Sequence, residues 1–505
     1  MGEMLENMSI GQEISWDLNL NRKWFEQIFA NCQDMMIESW SYGPALKYAA
    51  FSVCCQSLVE DDHNEYMKST LQDLVQHEAG MTEPISPEQV RYYYTHTGVS
   101  SQSRVLLSTY EEVQRHLLEG FVLIFFDQWN QAISYKMNKI NKRAVTEPTS
   151  EPVVQGPREG TVENLDTNLG MLRQRVKSPL FKIEFFIAGT IMKTKVAFAY
   201  LEQAVNPEVL KEFRNRLQNI EPYEVQGTSY IEEWIEDSTY SPFPQHRYTE
   251  RTDTAAAAVL DGKILVLVEN SPMILICPSL FVDFFGTSED YYVRTVYSTL
   301  IRLLRVLAFF IALTLPSIYV AFSTFHPELI PTVLLLAILG TREGIPFPAF
   351  LEALIMEVCF ELLREAGIRL PRPVGSAVSI VGALVIGQAA IQAKIASPTM
   401  VIVVALTGIA SFAIPHYDMA IAVRVLRFPF MVAAGMLGGF GLMIVFLLTF
   451  LHLTSLHTLG QPYLSSLAPL QLKDMRDVFI RAPLKRLLRS PRNRHLHKSR
   501  GKSSP

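Results

Sequence analysis

Three long stretches without a charged residue constrain this chain more than any other feature of its sequence. They cover residues 374–393, 395–415 and 428–451, which are 20, 21 and 24 residues long. About 20 apolar residues cross the hydrocarbon core of a bilayer, and a soluble domain rarely contains three such stretches close together. The sequence therefore predicts a polytopic α-helical membrane domain over residues 298–460.

A fourth uncharged stretch, residues 306–322, directly follows a pair of arginines, Arg302 and Arg305. Positive charge beside a span favours the cytoplasmic side, so the chain before this span is expected in the cytoplasm. Residues 461–505 form a basic tail, with 11 Lys/Arg and two acidic residues between positions 473 and 502. Such a tail is typical of the cytoplasmic side and of attraction to anionic membrane lipid, rather than of nucleic-acid binding. With both ends cytoplasmic, the number of spans is even, four or six.

Two features leave the choice between four and six spans open. Residues 329–340 are apolar but only 12 residues long, which suits a re-entrant segment or a short tilted span. Arg364, Arg369 and Arg372 favour the same side of the membrane as the tail, whereas a simple six-span count puts them on the opposite side.

The segment 350–367 has a helical pattern yet carries several charges. Glu357, Glu361 and Arg364 fall on one stripe of such a helix. Charged residues at bilayer depth normally face a bundle interior or a water-filled cavity, so these three residues are candidates to line an ion pathway. The alternative is an amphipathic helix at the membrane interface, in which Glu361 and Arg364 pair within the helix. Spacing alone leaves both interpretations open.

Small residues recur in two of the long apolar stretches. In the first stretch they occupy every fourth position, and in the last they form a GxxxG pair. Small residues at this spacing let a neighbouring helix approach closely, so they predict ridges for helix–helix packing. The ridge residues are Gly375, Ser379, Ala383 and Gly387 in the first stretch, and Gly435 and Gly439 in the last.

Residues 1–300 differ in character from the rest of the chain. They carry 41 Asp/Glu against 25 Lys/Arg, whereas residues 301–505 carry 9 against 20. Strand-like and helix-like segments alternate in this half, which favours a mixed α/β fold, and the segment TEPTSEPVVQGPREG at 146–160 is typical of an exposed connector. We therefore expect two cytoplasmic subdomains, residues 1–148 and 149–297. The predicted strands cover residues 105–108, 120–126, 133–135, 183–187, 196–200, 263–268 and 273–277, the last two forming a hairpin, and a helix is predicted over residues 207–219.

Sequence signatures of catalysis and of cofactor or metal binding are missing. The five cysteines show no CxxC spacing and no Cys/His cluster, so neither a disulfide framework nor a zinc site is expected. The pair Gly262-Lys263 lacks the glycine spacing and the following Ser/Thr of a phosphate-binding loop. No GxSxG or HExxH motif occurs. We therefore expect neither an enzyme nor a cofactor-binding protein.

Several ordered motifs give the chain a resemblance to a known family. In chain order they are EPVVQGPREG at 151–160, VKSP at 176–179, SPFPQ at 241–245, EDYY at 289–292, LPS at 315–317, REGIPFP at 342–348, LREAG at 363–367, SIVGALVIG at 379–387 and IASF at 409–412. Through these motifs the sequence resembles the A subunits of GerA-type spore germinant receptors, from about residue 60 to residue 465.

The resemblance implies a subunit of a nutrient sensor in the inner membrane of an endospore. It implies that this A subunit works with a permease-like B subunit, which binds the nutrient, and with a lipoprotein C subunit. It further implies a homo-oligomer, a pentamer, that forms a nutrient-gated cation channel and triggers germination. Under this resemblance the interpretation of Glu357 and Glu361 as pore-lining residues is favoured over the interfacial helix.

Two other functions are compatible with the same sequence. The first is a non-conducting membrane scaffold that assembles the receptor while the B subunit alone carries out transport. The second is a stand-alone secondary transporter, which is disfavoured because the spans show no evident inverted repeat or paired broken helices. Ion flux through the isolated protein separates a channel from a scaffold.

Overall fold

The computed structural model describes residues 12–43, 46–59, 86–95, 104–136, 148, 151–465, 467–468 and 477–483. This described chain forms two compact units. The first contains the described residues as far as Ile235 together with Tyr248–Pro278, and the second contains Glu236–Arg247 and the described residues from Ser279 onward. The domain boundaries predicted at residues 148, 297 and 460 stay predictions.

A five-stranded antiparallel sheet organises the beginning of the first unit. Its elements are the helices α1 (Leu18–Ile28), α2 (Pro87–Thr95) and α3 (Tyr110–Leu118) and the strands β1 (Met35–Tyr42), β2 (Tyr48–Cys55), β3 (Arg104–Leu107), β4 (Phe121–Phe126) and β5 (Ala132–Lys136). The strand order is β1-β2-β4-β5-β3. Side chains alternate between the faces of a strand, so Leu123 and Phe125 of β4 join one apolar cluster while Ile124 and Phe126 join another. The sheet is therefore covered on both faces.

A second five-stranded sheet follows in the same unit. Its elements are α4 (Leu165–Arg175), β6 (Phe181–Ala188), β7 (Thr194–Leu201), α5 (Pro207–Gln218), α6 (Thr228–Ile235), β8 (Arg247–Thr249), α7 (Thr252–Leu260), β9 (Ile264–Val268) and β10 (Ile274–Cys277), with the strand order β6-β7-β9-β10-β8. Asn164 and Asn206 cap α4 and α5 by accepting backbone N–H groups of the first turn. Leu169, Val259 and Leu265 belong to the core that α4 and α7 form with the sheet.

The prediction of a mixed α/β N-terminal half is confirmed. All seven predicted strands are present, the predicted helix spans Pro207–Gln218, and β9 pairs with β10 as an antiparallel hairpin. Strands β1, β2 and β8 are missing from the sequence-based prediction. The side chains of β1 are only partly buried, because it is an edge strand, and this weakens its alternating pattern.

The second unit is built from helices. In chain order they are α8 (Thr295–Thr324), α9 (Thr332–Thr341), α10 (Ala349–Arg369), α11 (Arg372–Gln392), α12 (Pro398–Phe412) and α13 (Tyr417–Ser455). Within the described ranges, α8 and α13 are the two helices that length and composition qualify as candidate membrane spans. Shorter apolar helices cover Thr332–Thr341, Val381–Gln392 and Pro398–Phe412.

Side-chain contacts define two opposite ends of this helical unit. At one end, which we call the aromatic end, Phe281 and Phe285 pack on Phe309 of α8. At the other, the glycine end, Phe325 and His326 lie against the glycines 438 and 439 of α13. From Phe309, near its midpoint, helix α8 therefore runs from the aromatic end to the glycine end.

The next helices alternate in direction between these ends. Helix α10 starts with Phe350 against Gly435 at the glycine end and returns towards Ser411, which Arg364 contacts. Helix α11 runs back, since Gly387 near its end lies beside Val401 of α12. Helix α12 then leads again to the aromatic end, because Ala410 near its end and Ile414 just after it belong to the cluster that contains Phe309.

Helix α13 consists of two arms that fold back on each other. A straight helix of 39 residues would extend about 58 Å. Instead His416 packs on Phe284, with ring centroids 5.8 Å apart, and His452 packs on Phe243 at 6.2 Å, so both ends of α13 lie at the aromatic end. The reversal occurs at Gly438, whose φ of 61° and ψ of −138° are not helical. The uncharged stretch 428–451 is therefore divided at Gly438 between the two arms, and its role as a membrane span stays a prediction.

Candidate functional site

Four glutamates follow one another along α10, and each is paired with arginine. We call these glutamates and their arginine partners the ion-pair ladder. Its rungs are Glu352 with Arg342, Glu357 with Arg427, Glu361 with Arg364 and Arg424, and Glu365 with Arg369. At 1.5 Å per residue the ladder extends over about 20 Å of a mainly apolar helical unit.

The first rung lies at the glycine end, and its glutamate side chain is fully buried. Glu352 Oε1 lies 3.1 Å from Arg342 Nη2, and Glu352 Oε2 accepts the backbone N–H of Ser397 at 3.0 Å. Ser397 is also the N-cap residue of α12. Glu352 therefore ties the turn after α9 to the beginning of α12, and opposite charge together with hydrogen bonds stabilises its buried carboxylate.

The second rung is a buried ion pair between two helices. Glu357 Oε2 lies 2.5 Å from Arg427 Nη1, and these side chains are only 4% and 2% exposed. Arg427 also donates from Nε to the backbone carbonyl of Ala312 in α8, at 2.8 Å. That carbonyl would normally accept the N–H of the residue four positions later, which is Pro316 and has none. The proline in α8 thus frees the acceptor that Arg427 uses.

This second rung is incompletely hydrogen-bonded. Among the described residues, Glu357 Oε1 and Arg427 Nη2 are buried side-chain atoms without a hydrogen-bond partner. An unmet polar atom in the interior typically costs about 1–3 kcal/mol, and more when it carries charge. A pair of this kind fixes the positions of three helices while keeping unused hydrogen-bonding capacity in the interior.

The third rung has more positive than negative charge. Glu361 Oε2 lies 3.0 Å from Arg364 Nη1 of the same helix, and Glu361 Oε1 lies 2.8 Å from Arg424 Nη1 of α13. The Glu361 side chain is 38% exposed, in contrast to Glu357. One carboxylate between two guanidinium groups leaves a net charge of about +1 at the side of the rung that solvent reaches.

The three residues predicted to line an ion pathway therefore all belong to the ladder. Glu357 is buried against Arg427, Glu361 is partly exposed, and Arg364 pairs with Glu361. The within-helix pair expected of an interfacial helix is present, and Arg424 adds a partner from another helix. A role of these residues in ion conduction stays a prediction.

The predicted packing ridges meet neighbours of different kinds. A Cβ atom on Gly387 would lie 3.4 Å from Val401, and one on Gly435 would lie 2.7 Å from the Phe350 ring. Gly439 faces His326 at 3.2 Å. Ala383 is half-buried, and the side-chain surroundings of Gly375 and Ser379 lie outside the described part of the structure. The assignment of these residues to packing ridges stays a prediction.

Arg424, Arg427 and Pro316 are among the residues of the ladder and its support that the sequence did not mark as site residues. Arg424 and Arg427 precede the uncharged stretch of the last helix, and Pro316 lies inside an uncharged one. One sequence signal could have indicated these pairs. Two arginines three positions apart on one helix match two glutamates four positions apart on another, Glu357 and Glu361. The pairs connect residues 63 and 70 positions apart, so no local pattern identifies them.

A second charged cluster holds the beginning of α8. Asp290 accepts from Arg302 and Arg305 at 2.9 Å each, and Arg302 also contacts Asp477 at 3.0 Å. Tyr291 donates to Asp477, and burial together with that carboxylate raises the pKa of Tyr291 to about 12. The tail residues 477–483, predicted to lie on lipid, include this contact, and Arg481 within them is buried and donates to the carbonyls of residues 291 and 293.

In the described part of the chain, no group of His, Cys, Asp and Glu side chains is arranged to hold a metal ion. The rungs of the ladder are ion pairs between side chains of the protein. A mixed α/β unit and a unit of apolar helices crossed by a charge ladder define the class of this protein as a candidate membrane protein with a large extramembrane part.

The family model of the Bacillus/Clostridium GerA spore germination protein matches residues 23–493. The chain therefore belongs to the GerA family, and the resemblance to A subunits of germinant receptors is confirmed. Spore germination protein KA of Bacillus subtilis is 43% identical over 84% of this chain and 77% of its own length. The uncharacterized membrane protein YfkQ of the same organism is 40% identical over 95% and 91%.

One solved structure is similar in part. The crystal structure of the N-terminal domain of the A subunit of the Bacillus megaterium spore germinant receptor GerK3 covers 54% of this chain and 99% of that chain. It is 23% identical, with a TM-score of 0.41. The α/β fold described above follows from the strand pairing of this chain itself.

Proposed function

We propose that the protein is a multi-pass subunit of a germinant receptor in the spore inner membrane and that its oligomer forms a nutrient-gated cation channel. The observation that carries this proposal is the ion-pair ladder. Charged groups inside an apolar helical unit are costly unless they face a protein interior or a water-filled path. Glu361, partly exposed in one chain, is the carboxylate that such a path would reach.

The helix directions support a topology with six crossings. Helices α8, α10, α11 and α12 and the two arms of α13 each run between the aromatic and glycine ends, whereas α9, about 15 Å long, is too short to cross. In this topology the chain enters and leaves at the aromatic end, which we assign to the cytoplasm. Arg369 and Arg372 then lie on the cytoplasmic side with the tail, as the positive-inside rule favours.

Membership of the GerA family, rather than any contact of a single chain, is the support for an oligomer and for partner subunits. We propose a homo-oligomer, a pentamer, that works with a permease-like B subunit and a lipoprotein C subunit. A closed ring with a central axis is the arrangement that lets identical subunits share one path. In such a ring Glu361 of each subunit would contribute to a carboxylate ring, which favours cations.

A non-conducting scaffold is the second candidate, and one observation favours it. Each glutamate of the ladder has an arginine partner in its own chain, so the charges are neutralised without a permeating ion. Under this alternative the ladder only fixes the helix packing, and the B subunit alone moves ions.

Cation flux through the full-length protein in liposomes separates these candidates. The wild type and the substitution Glu361→Gln, which keeps the shape and removes the charge, are compared with potassium as the probe. The channel proposal expects flux that is cation-selective and loses selectivity in Glu361→Gln, and a stronger loss in Glu361→Lys. Glu365→Gln, which removes an exposed charge 56% accessible on the same helix, is the matched control and should leave selectivity unchanged. Absence of flux from an assembled oligomer would favour the scaffold.

A further inference from the structure

We propose that Arg427 holds the conduction path closed. This inference rests on the proposed channel function and assigns its regulation to one side chain. In the structure Arg427 is ion-paired with the carboxylate of Glu357. Opening of the path requires the first arm of α13, residues 417–437, to move this arginine away from Glu357. Glu357 then becomes available to water and to cations.

Arg427 joins the three helices that such a gate must control. It is carried by the first arm of α13, pairs with Glu357 of α10 and donates to the Ala312 carbonyl of α8. A planar guanidinium can serve both acceptors at once, which the ammonium of lysine cannot do in the same geometry. A displacement of any one helix therefore acts on the same side chain.

The pair of Glu357 and Arg427 is tight and yet incompletely hydrogen-bonded. The Glu357–Arg427 contact is buried, but one oxygen of Glu357 and one nitrogen of Arg427 have no hydrogen-bond partner among the described residues. Water admitted to this position would satisfy both atoms, because it accepts from the nitrogen and donates to the oxygen. Hydration therefore opposes the closed arrangement at this rung more than it would at the fully bonded Glu352 rung.

The first arm of α13 carries a second arginine besides Arg427. Arg424 and Arg427 lie on one face of the first arm and pair with Glu361 and Glu357. The non-helical Gly438 separates this arm from the second arm, so the first arm can shift without turning the second. One movement would therefore take two arginines away from two glutamates. It would lower the net charge of the Glu361 rung from about +1 to neutral, because Arg364 remains, and that of the Glu357 rung from neutral to about −1.

Resting flux through the full-length protein in liposomes, without nutrient, tests this inference with potassium as the probe. In Arg427→Gln the closed state buries Glu357 without its partner, whether the carboxyl is charged or protonated, while the open state hydrates it. We expect resting flux about tenfold above the wild type, the size of an ordinary coupling between sites. The double substitution Glu357→Gln/Arg427→Gln buries two neutral amides and should return the flux to the wild-type level. Arg22→Gln, on a pair in the first unit whose side chains are 48% and 54% exposed, is the control and should leave the resting flux at the wild-type level.

The alternatives give distinct results. If Arg427→Gln does not accumulate, Arg427→Lys keeps the charge but loses the second acceptor, and its resting flux should still exceed that of the double variant. Resting flux equal to the wild type in both single variants, together with altered selectivity in Glu361→Gln, overturns this inference and leaves the channel standing. If neither the wild type nor any variant conducts potassium, both the channel proposal and the gate proposal are overturned.

Discussion

Asp34 and Arg173 lie 139 residues apart in the chain and form two hydrogen bonds of 2.8 Å inside the first unit. Asp34 precedes the first sheet, and Arg173 lies on α4 above the second sheet. Their side chains are 1% and 0% exposed, and the Cys55 thiol donates to the same carboxylate at 3.3 Å. The two halves of the α/β unit are thus joined by a buried, bidentate ion pair.

Removing one member of this pair should unfold the first unit more easily. Arg173→Met leaves a buried carboxylate without its partner, a change that typically costs about 3–5 kcal/mol. Arg175→Met, next along α4, breaks a pair with Glu159 that is 26% and 61% exposed, and such pairs contribute about 0–1 kcal/mol. All five tryptophans lie at or before residue 234, so their fluorescence in denaturant reports on this unit. Equal midpoints of the two variants would contradict the proposed role of the buried pair.

The reversal of α13 should depend on glycine at two positions. A Cβ at Gly441 would lie 2.2 Å from the carbonyl oxygen of Ala433, which belongs to the opposite arm, and Gly438 has a positive φ that costs other residues about 1–3 kcal/mol. Gly441→Ala and Gly438→Ala should therefore lower the melting temperature in detergent. Gly340→Ala in α9 is the control, because nothing lies within 4 Å of its added Cβ. An unchanged melting temperature for Gly441→Ala would contradict the hairpin.

The proposed six-crossing topology makes a direct accessibility prediction. With the five native cysteines replaced, single cysteines at the exposed positions 417 and 457 should react with a membrane-impermeant maleimide from the same side. They frame the two arms of α13, which begin and end at the aromatic end. Cysteines at the exposed positions 343 and 394 should react from the opposite side. Labelling of 417 and 457 from opposite sides would mean that α13 crosses once.

The sequence predicted the local elements well and the long-range pairings poorly, and the reasons are physical. Strands such as Ile264–Val268 are short apolar runs bounded by turn residues, so their pattern is visible without the fold. The pair of Glu357 and Arg427 depends on helix packing between segments 70 residues apart. The division of α13 into two arms could be inferred only from its length, since about 20 residues already cross a bilayer and this helix has 39.

The glycines of the last helix illustrate how one pattern serves two structures. Gly435 and Gly439 at GxxxG spacing predict a ridge for a neighbouring helix, and both do lie beside bulky side chains, Phe350 and His326. The intervening Gly438 instead adopts the conformation that reverses the chain. Spacing cannot separate these roles, because close approach and positive φ both select glycine.

The predicted packing ridge of α11 can be tested at Gly387, because the structure shows its neighbour on α12. Gly387 is buried, and leucine there would extend beyond the Cβ position, 3.4 Å from Val401, into α12. Such overpacking typically costs about 1–3 kcal/mol. Gly387→Leu should therefore reduce the yield of assembled, monodisperse protein, while Val385→Leu, at a position that is 56% exposed, should not. Equal yields of the two variants would show that Gly387 is not part of a packing ridge.

The turn between β6 and β7 gives a prediction for pH. The Glu224 carboxylate accepts the backbone N–H groups of Thr190, Ile191 and Met192 at 2.9–3.0 Å. These bonds, those from Ile191 and Met192 first, lower the pKa of Glu224 below its ordinary value of 4.5. Because the folded-state pKa is depressed, the contribution is fully present above pH 4.5 and is lost as the pH falls through the lowered pKa.

Hydrogen exchange of the full-length protein should report this loss directly. At pH 7, Glu224→Gln should exchange the amides of Ile191 and Met192 faster than the wild type, because an amide oxygen is a weaker acceptor than a carboxylate. After correction for intrinsic rates, the difference should shrink as the pH falls below 4.5 and the wild-type carboxyl takes up its proton. Glu221→Gln is the matched control, since Glu221 contacts the turn through its backbone carbonyl, which accepts the N–H of Gly189 at 2.9 Å. A difference between Glu224→Gln and wild type that is independent of pH would show that shape, and not charge, holds the turn.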